Sequence, residues 1–136
     1  MTVKKLFIKT NIGAAVLGGS IVLAAVPAIV NAGQTYPSAM DASPDVYRVL
    51  AESKQFRVVV ATWKPGQEDN FHHHTADRVS LYETDCKLRL SKPDGSYRDV
   101  NPKAGTAKAR TGKPVKAHKA RNIGDNVCIL RIVEVR

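Results

Sequence analysis

Short β-branched and aromatic runs, separated by turn dipeptides at nearly even spacing, govern what this chain can fold into. The strongest is Phe56 to Trp63, which stops at the turn pair Pro65-Gly66. Further runs follow at Phe71–His74, Val79–Tyr82, Lys87–Leu90, Tyr97–Val100, Ala107–Arg110 and Val127–Val135. Such residues suit a pleated, half-buried surface, and strands recurring every ~8–12 residues build a sandwich or barrel. Turns are supplied by Pro93-Asp94-Gly95, Ala104-Gly105, Thr111-Gly112 and Gly124-Asp125-Asn126. Lys87-Leu88-Arg89-Leu90 alternates charge with leucine, which places one face on a core and the other in water. Val46 to Leu50 reads as a short strand or a single helical turn. The fold class is therefore all-β, with one domain over 46–136.

The N-terminus carries a different signal. Lys4, Lys5 and Lys9 precede an apolar run from Ile12 to Val30, and Pro27 breaks that run before Val30-Asn31-Ala32. Small residues in this place suit a signal peptidase, so residues 1–32 read as a signal peptide cleaved after Ala32 and the chain as periplasmic or secreted. The 19 residues from Ile12 to Val30 approach the roughly 20 that span a bilayer, and an uncleaved leader would anchor the protein in the membrane. After cleavage no stable membrane insertion is expected. Residues 33–45, rich in Pro, Ser, Ala and Asp without apolar periodicity, read as an extended arm.

Charge narrows the partners. The whole chain carries +9, and removing the leader takes away three lysines and no acid, leaving +6 on 104 residues. That balance favours small anionic molecules or anionic surfaces, whereas an exported chain without aromatic-interleaved basic stretches is not expected to bind nucleic acid. Lys103, Lys108, Arg110, Lys113, Lys116, Lys119 and Arg121 form a basic run with no acid among them. It is either a solvated face or an electropositive rim. Cys86 and Cys128 both lie inside sequence that reads as strand, and whether they pair or stay buried thiols is open at this level.

All four histidines fall in the expected domain, and three are consecutive: His72, His73 and His74. In a strand, side chains two apart share a face, so His72 and His74 point together while His73 points away. Gly66, five residues and then His72-His73-His74 resemble the first motif of the cupin superfamily. His118-Lys119-Ala120-Arg121-Asn122 resembles the end of its second motif. The resemblance extends over about Val46 to Val135 and is nearest to small single-domain cupins.

That resemblance implies a jelly-roll β-barrel in which both motifs line one pocket, bringing His118 to His72 and His74. Three neutral imidazoles suit one divalent transition metal, Fe, Mn, Ni, Cu or Zn, with open positions for water or substrate. Three-histidine sites without a carboxylate also occur in thiol dioxygenases, which this chain resembles in ligand set alone. Dimers are common among such proteins, so a homodimer is expected, with the arm adding a strand to its partner. The sequence departs from the first motif where a Glu normally follows, for Arg78 and Val79 stand there. Pro114 and a longer loop before His118 depart from the second.

Two registers are open for the next strand. In one, Arg78, Ser80 and Tyr82 face the pocket, and Arg78 and Tyr82 bind the ligand, the guanidinium gripping a carboxylate bidentately. In the other, Asp77 turns inward and replaces the missing carboxylate. No catalytic residue is assigned. Two functions follow: a metal-dependent enzyme of oxygenase-like chemistry on a small anion, or a metal-free module that binds such an anion without chemistry.

Overall fold

The computed structural model describes residues 35–136. The expected signal peptide, its cleavage site and the first residues of the arm lie outside the described residues. Within them, nine strands form two sheets. The first sheet has the order β1 (Tyr47–Glu52), β2 (Phe56–Trp63), β9 (Cys128–Val135), β4 (Arg78–Tyr82) and β7 (Ala107–Arg110). The second has the order β3 (His72–His74), β8 (Val115–Asn122), β5 (Leu88–Ser91) and β6 (Tyr97–Val100). Every pairing between these strands is antiparallel. Among the described residues no helix is long and apolar enough to cross a membrane.

Alternation decides which face is the inside. In β2, Val59, Ala61 and Trp63 are buried, and in β9 every second residue, Cys128, Leu130, Ile132 and Glu134, is buried. Leu88 of β5 and Ala120 of β8 meet them from the other sheet in one core cluster. Trp63 and Leu88 are at most 2% exposed, and burying a side chain of this size contributes about 1.5–3 kcal/mol. Cys86 and Cys128 are joined in a disulfide with their Cα atoms 5.0 Å apart. It fastens the chain entering β5 to the start of β9, a link between the sheets.

The strand segments expected from the sequence are all present, with ends shifted by a residue or so. The structure adds β8, an eight-residue strand within the basic run. Its alternation is broken: across the pair, His72 stands opposite His118 and His74 opposite Val115, so two steps on β3 match three on β8. This bulge changes the phase of the inward face, which hides the strand from a period-two search.

The arm also differs from expectation. Residues Ala39–Ala42 form one helical turn capped by Ser38, and Ala39, Ser43 and Val46 are buried. Ser38 pairs in parallel with His73, and His73 N–H donates to the Pro37 carbonyl at 2.9 Å. The arm thus covers the free edge of β3 in its own chain, satisfying backbone groups that an edge strand would leave open.

Candidate metal centre

Three histidines come together by two separate geometric rules. His72 and His74 alternate onto the inner face of β3, and both are buried, while His73 is exposed. His118 is the direct cross-strand partner of His72, and residues directly opposite in a ladder lie close enough to touch. The resulting nitrogen separations are 3.1 Å for His72 Nε2 to His74 Nε2 and 3.0 Å for His72 Nε2 to His118 Nε2. The rings meet edge to face, with centroids 4.6–5.1 Å apart.

The second nitrogen of each β3 ring is already committed. His72 Nδ1 donates to the Asn70 carbonyl at 2.8 Å, an acceptor that has no proton to return. His74 Nδ1 donates to Glu134 Oε1 at 2.9 Å. Burial tends to raise the Glu134 carboxyl, but the His74 hydrogen bond and the fields of Arg57 and Arg78 outweigh it and hold the group below the ordinary carboxylate value. A neutral imidazole with its proton on Nδ1 has a bare lone pair on Nε2. With both rings carrying their single proton on Nδ1, the 3.1 Å approach sets acceptor against acceptor, an arrangement that a cation between them relieves.

Electrostatics keep the His72 and His118 rings neutral. Burial, reinforced by His74, pulls His72 down to about 4, and burial with the neighbouring His72 and His74 pulls His118 to about 2. Neutral imidazole is the ligating form. Beside the ligating nitrogen of His72 stands a buried pair: Tyr47 Oη donates to Asp69 Oδ2 at 2.7 Å and lies 3.3 Å from His72 Nε2. Asp69 also accepts from Trp63 Nε1 at 3.2 Å and Ala120 N at 2.6 Å, yet burial still pushes its carboxyl up to about 6.

The donor set fits a divalent ion. Nitrogens lying about 2.1 Å from an ion at right angles would be about 3.0 Å apart, and the two measured separations are 3.0 and 3.1 Å. The ligand atoms of His72, His74 and His118 all lie within 4.8 Å of one another, a set able to hold a metal. Carboxylate and carbonyl partners on the outer ring nitrogens are what fix imidazole ligands in metal sites.

The same strand arrangement occurs in solved structures. A cupin domain protein from Bordetella pertussis superposes with a TM-score of 0.59 and 22% identity, over 76% of this chain and 99% of its own. This chain has the cupin fold. Two weaker likenesses are a cupin-2 domain protein from Shewanella frigidimarina (TM-score 0.44, 21% identity, 66% of this chain and 79% of its own) and a cupin-superfamily sugar phosphate isomerase from Silicibacter pomeroyi (TM-score 0.48, 23% identity, 76% and 68%). No family model and no curated protein matches the chain.

Within this cupin fold the two motif segments are laced together. Gly66, at φ +78°, turns the chain after β2 so that its N–H donates to the Asn122 carbonyl at 2.9 Å. The Asn122 side chain braces the same junction, for its Nδ2 donates to the Trp63 and Asn126 carbonyls and its Oδ1 accepts from Gly124 N. The strand register is the one with Arg78, Ser80 and Tyr82 inward. Arg78 and Tyr82 are buried and line a cavity of about 510 Å³ that reaches His74 and His118. Asp77 is exposed and accepts from Gly112 N at 2.8 Å, so it does not replace the missing carboxylate.

Glu134 and the Tyr47–Asp69 pair were not singled out from the sequence. Glu134 had a readable signal, as the single acid on the inner stripe Cys128-Leu130-Ile132-Glu134. Asp69 had none, since its role depends on β8 passing alongside. The basic run is divided by the fold. Lys108 and Arg110 line the cavity, Lys103 and Lys119 pair with Asp85 and Glu68, and Lys113, Lys116 and Arg121 are exposed.

Proposed function

We propose that this chain is an exported cupin that holds one divalent transition metal on His72, His74 and His118 and acts on a small anionic molecule bound in the adjoining cavity. The observation carrying this reading is the confrontation of His72 and His74 Nε2 at 3.1 Å while both Nδ1 atoms are spent on fixed acceptors. Bound there, the ion would supply Lewis acidity or, if iron, manganese or copper, oxygenase-type redox chemistry. The chain's own contributions are orientation, through Glu134 and the Asn70 carbonyl, and substrate attraction, through Arg78 and its neighbours. The Cys86–Cys128 disulfide supports export, because such bonds persist in oxidising compartments.

One observation favours a metal-free binding module instead. Arg78 is turned inward near the histidines, where its charge opposes a divalent ion. Metal analysis of untagged protein separates the two. Close to one equivalent of a transition metal, retained on dialysis, is expected; less than about 0.1 equivalent after reconstitution would leave the binding module.

A further inference from the structure

Five basic side chains line the cavity, Arg78, Lys92, Arg98, Lys108 and Arg110, and no Asp or Glu does. Strand register brings four of them together. Arg78 of β4 and Arg110 of β7 are direct cross-strand partners on the inner face, and like charges opposite one another in a sheet repel. Lys108, two residues before Arg110, shares that face. From the second sheet, Arg98 stands opposite Leu90 and looks into the same space.

These charges are not neutralised locally. Arg98, Lys108 and Arg110 have no ion-pair partner among the described residues. Arg78 donates to the Thr75 carbonyl at 2.7 Å, and the Glu134 carboxylate near it is taken up by His74. Burial raises the Tyr82 hydroxyl while Arg98 and Arg110 pull it back, and burial together with Arg110 lowers Arg78. Arg78, Arg98, Arg110 and the Tyr82 hydroxyl thus share one electrostatic environment.

We propose that Arg78, Arg98, Lys108 and Arg110 form the seat for a phosphate group carried by the substrate, with Leu88, Leu90, Val100, Leu130 and Ile132 receiving its apolar body. A planar carboxylate is satisfied by one guanidinium fork. Donors arriving from β4, β6 and β7 instead surround a tetrahedral group, and a dianion offsets the Arg78–Arg110 repulsion more fully than a monoanion. The inference rests on the anionic-substrate reading above and names the anion.

The test is a calorimetric titration of the protein at low ionic strength with inorganic phosphate and with acetate, after chelation of metal and again after reconstitution. Phosphate should bind at least tenfold tighter than acetate in both forms. Arg110→Ala, on an exposed edge strand, should weaken phosphate at least tenfold, and Arg121→Ala, an exposed member of the basic run outside the cavity, less than twofold. Without phosphate the Arg110→Ala melting temperature should equal or exceed that of the parent, and phosphate should no longer raise it. Should Arg110→Ala fail to fold, Lys108→Ala carries the same expectation. Equal affinity for phosphate and acetate, or equal losses in the Arg110 and Arg121 variants, would overturn the proposal. Phosphate binding without metal binding would remove only the metal reading, and metal binding without phosphate binding only this one.

Discussion

Replacing Glu134 by alanine strips His74 of the acceptor that holds its ring. The bond is 2.9 Å long, joins two buried side chains and is charge-assisted, a class worth about 1.5–3 kcal/mol net. Outer partners of metal-bound imidazoles typically control about 10–100-fold in metal affinity, or about 1.4–2.7 kcal/mol, so the two scales agree. The loss should be compounded by Arg78, whose field Glu134 now offsets. Zn(II) affinity of metal-free protein, measured by competition with a chromophoric chelator, should therefore fall about 10–100-fold in Glu134→Ala. Glu134→Gln keeps a carbonyl acceptor but loses the charge, and should fall between that variant and the parent. Unchanged affinity in Glu134→Ala, alongside clear loss in His74→Ala and native melting of both, would refute the idea that this carboxylate positions the ligand.

Other outcomes follow from the same geometry. His72→Ala and His118→Ala should each abolish stoichiometric metal by elemental analysis; loss in one alone would exclude the other residue as a ligand. The disulfide closes a separation of 42 residues, for which chain entropy gives about 4 kcal/mol, so Cys86→Ala/Cys128→Ala should lower urea stability by up to about that amount. A change under about 1 kcal/mol would show that the bridge restrains little in the unfolded chain. In the metal-free protein His72 and His118 stay neutral to about pH 4 and 2 but charge near 6.5 when unfolded. The unfolded chain therefore binds more protons below 6.5, and stability falls as pH drops. Asp69, raised to about 6 from 3.8, works the other way over pH 6 to 4. Two histidines against one carboxyl leave a net loss of about 1 kcal/mol per pH unit in that window. A urea midpoint that is flat or rising from about pH 6 to 4.5 would contradict these assignments.

Local chemistry made much of this protein legible in advance. Strand residues such as Val58 to Val60, and the turns at Pro65-Gly66 and Pro93-Asp94-Gly95, reveal themselves because side-chain shape and backbone freedom act over a few neighbours. The pairing of His72 with His74 is of the same kind, since period two is a property of any strand. Tertiary structure decided the rest. His118 becomes a neighbour of His72 through ladder register, and a bulge between it and Val115 interrupts the alternation of β8. The choice of Arg78 over Asp77 was settled by pairing with β7 and β9, because either face of β4 satisfies a local pattern. The carboxylate beside His74 comes from Glu134, 60 residues away, and the cysteines meet across 42. Sequence proximity determines which face a side chain occupies, but only the pairing and packing of both sheets determine what stands opposite it.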